Sequence, residues 1–218
     1  MKKIISFCLA AVILSLSLLS LTSCGQDACV YYTERNTVGR DIRYAKIEFK
    51  DYGTVYLLLD ATTAPISVNN FLDLANSKFY DGLTMHRIIS DFMIQGGDPN
   101  ANGSGGSEDE IYGEFYANGY LHNDIKHLYG VISMARGDDP NSASSQFFIC
   151  NADSSHLDGN YAAFGYVIAG LGIVDKITSE TVKYADASSG TIKDKSKQAV
   201  ILSIREITKE EALEATNG

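Results

Sequence analysis

Short apolar runs broken by Gly, Asn and Asp fill the chain from Ala45 to Ile207, and only two stretches carry helical spacing. Ala45 to Phe49 and Thr54 to Leu59 are joined through Asp51-Tyr52-Gly53 and read as a hairpin. After Ala64-Pro65, the apolar residues Val68, Phe71, Leu72 and Ala75 fall at helical spacing, with Ser67 placed to cap the helix. Further strands are expected over Leu83 to Ile89, Met93 to Gln95, Val131 to Ala135, Phe147 to Cys150 and Ala162 to Ile168. A second helix follows over Leu171 to Ser179, and Ala199 to Ile207 closes as a last strand. Many short strands without regular βαβ alternation exclude a doubly wound sheet and point to an antiparallel barrel or sandwich.

The first residues obey a different logic. Met1-Lys2-Lys3 supplies a positive start and Ile4 to Leu19 is almost wholly apolar, as in a secretory leader. Leu21-Thr22-Ser23-Cys24 resembles the bacterial lipobox, which implies acylation at Cys24 and cleavage before it. The expected organisation is therefore a signal peptide at 1–23, a lipidated tether at 24–41, a folded domain at 42–208 and a C-terminal tail at 209–218. That address is extracytoplasmic, with the bilayer as a partner through acylated Cys24.

At 218 residues, one well-cored domain is expected. The formal charge is -9; loss of Lys2 and Lys3 with the leader takes 18 basic residues to 16 against 27 acidic, or -11. This balance opposes nucleic acid and anionic surfaces as partners. Cys8 leaves with the leader, Cys24 carries lipid, Cys29 lies in the tether and Cys150 sits in an apolar run, so no disulfide framework or metal spacing emerges. Gly103-Ser104-Gly105-Gly106 lacks the Lys-Ser/Thr of a phosphate cradle and is followed by Glu108-Asp109-Glu110. His122 and His127 are spaced too loosely for a metal site, and His86 reads as a packed, hydrogen-bonded core residue.

Three blocks carry chemistry. Met85-His86-Arg87-Ile88-Ile89 leads through Ser90-Asp91 into Phe92-Met93-Ile94-Gln95-Gly96-Gly97-Asp98, a strand, turn and strand with one guanidinium among large apolar side chains. Alternation puts Met85, Arg87 and Ile89 on one face and His86 and Ile88 on the other. Gly130 to Arg136 leads through a polar loop into Ser145-Gln146-Phe147-Phe148-Ile149-Cys150, where Gln146 and Phe148 share a face. The third block, His156-Leu157-Asp158-Gly159-Asn160-Tyr161-Ala162-Ala163-Phe164-Gly165, joins a turn to a strand. On pattern alone, Arg87 reads first as a solvated surface residue.

In this order and spacing the blocks resemble the signature regions of the cyclophilins, over about Ala45 to Ile207. The resemblance implies a mainly β fold, an eight-stranded antiparallel barrel capped by two α-helices, with a groove on its outside. It implies peptidyl-prolyl cis-trans isomerase activity on proline-containing segments, here of exported proteins, by a monomer without cofactor or metal. Carried over position by position, Arg87 donates to the prolyl nitrogen and Gln95 holds Arg87; both are the catalytic pair. Phe92, Met93, Phe148 and Leu157 grip the proline ring, and Gln146 with the backbone of Ala135 and Arg136 aligns the flanking peptide. His156 and Tyr161 complete the substrate-binding set. Arg136 stands where the family usually has Asn, Tyr161 replaces a common groove histidine and His156 replaces a common tryptophan, so flanking preference and cyclosporin binding are expected to differ.

Overall fold

The computed structural model describes residues 37–216. Eight strands form a closed antiparallel barrel: β1 (Ile42–Phe49), β2 (Gly53–Asp60), β3 (Thr84–Ile89), β4 (Met93–Gly96), β5 (Val131–Met134), β6 (Phe147–Cys150), β7 (Ala163–Ala169) and β8 (Ala199–Ile207). Their order around the barrel is β1-β2-β7-β5-β6-β4-β3-β8, so closure comes from β8 pairing with both β1 and β3. Closure leaves no free sheet edge.

Period-two alternation determines which side chains enter the barrel. Phe147 and Ile149 of β6 and Ile94 of β4 join the core, while Phe148, Cys150 and Met93 form a separate cluster outside it with Leu157. Helix α1 (Pro65–Asn76) sends Val68, Phe71, Leu72 and Ala75 into the core, and α2 (Leu171–Thr181) sends Val174 and Ile177. Phe71 meets the rings of Tyr80, Phe147 and Phe164 at 5.3 to 5.4 Å between centroids. Gly97, just past β4, has φ +81, and a β-carbon there would come within 2.5 Å of the Ser145 carbonyl. Only glycine lets the chain turn so close to its neighbour.

Four features differ from the sequence reading. Ser67 does not cap α1: Ala64 is the N-cap, and the buried Glu114 of the long loop accepts from the Ile66 and Ser67 amides and the Ser67 hydroxyl at 2.7 to 2.9 Å. Residues 209–216, within the segment expected as a tail, are helical. They form α3 (Lys209–Thr216), whose Ala212 is buried against Tyr44, Leu58 and Tyr166.

Met85 lies in the core rather than beside Arg87, because β3 carries a bulge: Met85 pairs with Gly96 and Arg87 with Gln95, leaving His86 unopposed. One extra residue reverses the alternation at that point. His86 is fully buried outside the barrel core, and neither ring nitrogen has a hydrogen-bond partner among the described residues. Cys150 is buried and without a disulfide among the described residues, and burial pushes its thiol pKa up to about 12. Cys8, Cys24, Cys29 and the leader lie outside the described residues.

Candidate active site

The outer faces of β3, β4 and β6 supply the site. Their register sets Arg87 opposite Gln95 and Gln95 opposite Phe148, one row across three neighbouring strands. Arg87 Nη1 donates to Gln95 Oε1 at 3.0 Å, Gln95 Nε2 donates to Gln146 Oε1 at 2.8 Å, and Gln146 Nε2 donates to the Gly105 carbonyl at 2.7 Å. On its other side Arg87 Nε donates to the Ser189 carbonyl at 2.7 Å. The guanidinium is thus held at two points, and it keeps further N–H donors for a ligand. Burial lowers the Arg87 pKa from the ordinary guanidinium value, yet the group stays charged at any physiological pH.

Beside this guanidinium lies a pocket of about 140 Å³, lined by Arg87, Phe92, Met93, Gln95, Ala135, Arg136, Phe148, Leu157 and Tyr161. Met93, Phe148 and Leu157 form its buried apolar floor, with the half-buried Phe92 and Tyr161 at its sides. An adjoining, more polar cavity of about 560 Å³ shares Gln95, Ala135 and Arg136 with it and includes Gln146 and the Gly103–Glu110 loop. The structure therefore brings together nine of the residues singled out above in one pocket and places Gln146 next door. His156 lines neither cavity; it is exposed on the rim, its ring 5.2 Å from that of Phe92.

Arg136 does more than offer backbone. Its guanidinium lies 4.8 Å from the Tyr161 ring centre and 5.1 Å from that of Phe115, and it donates to the Asn160 carbonyl at 3.0 Å and the Gly137 carbonyl at 2.7 Å. Cation–π contact and these bonds pin Tyr161 as one wall of the pocket. Tyr161 in turn meets Phe148 edge-on at 6.0 Å.

His127 also belongs to the site, behind its floor. It is fully buried and stacked on Phe148, with rings 5.9 Å apart and 17° from parallel. Its Nδ1 lies 3.1 Å from Asp158 Oδ1 and its Nε2 3.0 Å from the Ser133 hydroxyl. A carboxylate only accepts, so Nδ1 carries the proton and Nε2 accepts from Ser133. Burial lowers the His127 pKa and so favours the neutral ring, while Asp158 acts in the opposite sense. Sequence reasoning missed this brace: His127 sits in a long loop without periodicity, and its partners Ser133, Phe148 and Asp158 are brought to it by folding. Among the described residues no group of His, Cys, Asp or Glu could hold a metal ion.

A fixed cationic donor at the edge of a small apolar pocket suits a neutral, ring-shaped side chain whose own amide reaches the donor. Comparison with known proteins agrees. Residues 44–205 match the family model described as cyclophilin type peptidyl-prolyl cis-trans isomerase/CLD. A peptidyl-prolyl cis-trans isomerase-like 1 of Neurospora crassa is 45% identical over 126 residues, 57% of this chain and 75% of its own. A peptidyl-prolyl cis-trans isomerase of Helicobacter pylori is 41% identical over 136 residues, 62% of this chain and 80% of its own. The crystal structure of a Cryptosporidium parvum cyclophilin type peptidyl-prolyl cis-trans isomerase superposes with a TM-score of 0.66 at 28% identity, covering 78% of this chain and 99% of that one. With the barrel, the groove and these likenesses in agreement, the chain belongs to the cyclophilin-type peptidyl-prolyl cis-trans isomerases.

Proposed function

We propose that Arg87 and Gln95 catalyse rotation about X-Pro bonds in exported proteins, at the surface of the membrane to which acylated Cys24 anchors the chain. The observation that carries the catalytic part is the Arg87 guanidinium, held by Gln95 and Ser189 at the edge of the apolar pocket. An X-Pro amide resists rotation by about 18–20 kcal/mol because twisting breaks the resonance between nitrogen and carbonyl. As the bond twists, the prolyl nitrogen pyramidalises and its lone pair becomes an acceptor. Arg87 donates to that lone pair, an interaction strong in the twisted state and weak in the planar one, and so lowers the barrier. Accelerations of a thousand- to hundred-thousandfold require about 4–7 kcal/mol. The pocket floor of Met93, Phe148 and Leu157 holds the ring while the residue before it swings. Nothing covalent forms, and no proton needs to leave Arg87.

The test is isomerisation of a proline tetrapeptide by the full-length chain and by Arg87→Ala. The variant is expected to lose about tenfold or more, which corresponds to 1.36 kcal/mol per decade, with the loss mainly in kcat. Equal rates overturn the catalytic assignment. Unchanged peptide binding with no turnover in the parent replaces it with a binding module.

The address rests on Leu21-Thr22-Ser23-Cys24 after an apolar leader. Expressed in a bacterium, the chain is expected to fractionate with membranes and to begin at an acylated Cys24, read by mass spectrometry. An unmodified residue 24 overturns the anchor.

A further inference from the structure

We infer that residues 111–123 form a second docking surface, continuous with the groove, for the stretch of unfolded client chain that flanks the bound proline. The inference rests on the isomerase reading of the groove. This stretch has no Lys, Arg or Asp, and its one carboxylate, Glu114, is buried as the cap of α1. On both sides charge resumes at once, with Glu108-Asp109-Glu110 before it and Asp124 and Lys126 after it. In a chain of net charge -9, an uncharged exposed strip of this length is unusual. What it exposes instead is apolar: Tyr116 and Leu121 are each 69% accessible and Tyr112 is 41%.

Continuity with the proline pocket identifies the occupant. Phe148, Tyr161, Arg136 and the buried Phe115 lie in successive contact from the pocket floor, at separations of 6.0, 4.8 and 5.1 Å, so the strip is anchored through Phe115 to the wall of the pocket. Phe115 precedes Tyr116. The Ala117 amide donates to the Gly159 carbonyl at 2.8 Å, and a β-carbon on Gly159 would stand 3.4 Å from that of Tyr116. The exposed tyrosine therefore packs on the Asp158–Asn160 turn, whose two ends lead directly into the pocket residues Leu157 and Tyr161. A polypeptide crossing that turn in extended form advances about 3.3 Å per residue, so its flanking residues reach the strip within a few positions.

The strip is also prearranged. The Tyr112 hydroxyl donates to the Asn118 carbonyl at 2.7 Å, Asn118 Nδ2 donates to the Gly113 carbonyl at 2.9 Å, and the Tyr120 hydroxyl donates to the Thr63 carbonyl at 3.1 Å. Rigid aromatic side chains lose little freedom on contact, which favours capture of apolar chain segments without a defined sequence. An unfolded exported protein offers such segments, and a tetrapeptide is too short to use them.

The experiment compares full-length parent with the double variant Tyr116→Ser/Leu121→Ser, neither residue lining the proline pocket. Two substrates are used: a proline tetrapeptide, and a protein whose refolding is limited by prolyl isomerisation. The tetrapeptide kcat/KM is expected to stay unchanged, while kcat/KM on the refolding protein falls about three- to tenfold through KM, the scale of losing one or two aromatic or aliphatic contacts. A third arm measures binding of a reduced, carboxymethylated protein that cannot fold, by fluorescence anisotropy. Its affinity is expected to fall by a similar factor, and this arm judges the surface even if no isomerisation is seen with the parent, a result that would overturn the isomerase reading alone. Equal losses on both substrates, or no loss in refolding and binding, overturn the docking surface. So does concentration-dependent dimerisation of the parent that the variant abolishes, which would make the strip a contact between copies of this chain.

Discussion

Replacing Gln95 with Leu isolates the positioning of Arg87 from its charge. Gln95 gives Arg87 one of its two anchors, the 3.0 Å bond from Nη1, while the 2.7 Å bond from Nε to Ser189 remains. A hydrogen bond to a charged group contributes about 1.5–3 kcal/mol, and the surviving anchor retains part of the geometry. The expected loss is therefore about 1.4 kcal/mol of transition-state stabilisation, or about tenfold in kcat. KM should change little, because the apolar floor of Met93, Phe148 and Leu157 is untouched. Gln146 loses a donor, but it is only half-buried, so water replaces the contact at small cost. The assay is tetrapeptide isomerisation over a range of substrate concentrations, with thermal unfolding as a control for the fold. Parent-like kcat in a folded Gln95→Leu variant would refute the argument that Arg87 needs to be held from this side.

Three further outcomes follow from the geometry. Glu114→Ala leaves the Ile66 and Ser67 amides without their acceptor, and is expected to cost about 1–3 kcal/mol, several degrees in a thermal melt; an unchanged melting temperature would show that the loop does not cap α1. Burial lowers the pKa of His86, facing Asp98 and Arg87, and of His127, facing Asp158, Lys126 and His156, so the unfolded chain takes up protons first. Their contribution to stability is complete above about pH 6.5 and is lost as pH falls toward the folded-state values; His86→Leu, which also removes two buried nitrogens without partners among the described residues, should weaken the acid-side decline, and an identical pH profile would refute it. Finally, His156→Trp should enlarge the rim contact beside Phe92 and tighten cyclosporin binding by about one decade, for roughly 50 Å² of added apolar cover, with unchanged affinity counting against the rim assignment.

Local spacing made much of this protein legible. Alternation along Gln146 to Cys150 separates Phe147 and Ile149, which enter the barrel, from Phe148, which faces the groove. The positions of Val68, Phe71, Leu72 and Ala75 similarly define the buried face of α1. Both patterns depend only on backbone repeat lengths, so they survive without knowledge of any partner. The three blocks around Arg87, Phe148 and Leu157 marked the groove residues as a set, because their order and spacing match a family.

Relations between distant segments belonged to the tertiary structure. The bulge that sends Met85 inward and leaves His86 unopposed depends on how β3 registers with β4. Glu114 caps α1 from 47 residues away and His127 reaches Asp158 across 31; neither pairing leaves a trace in local spacing. Residues 209–216 contain a single buried side chain, Ala212, too weak a pattern to signal a helix until β1, β2 and β7 present a surface for it. Sequence periodicity records which face of an element is apolar, whereas register, capping at a distance and side chains braced from behind arise only when separate elements meet.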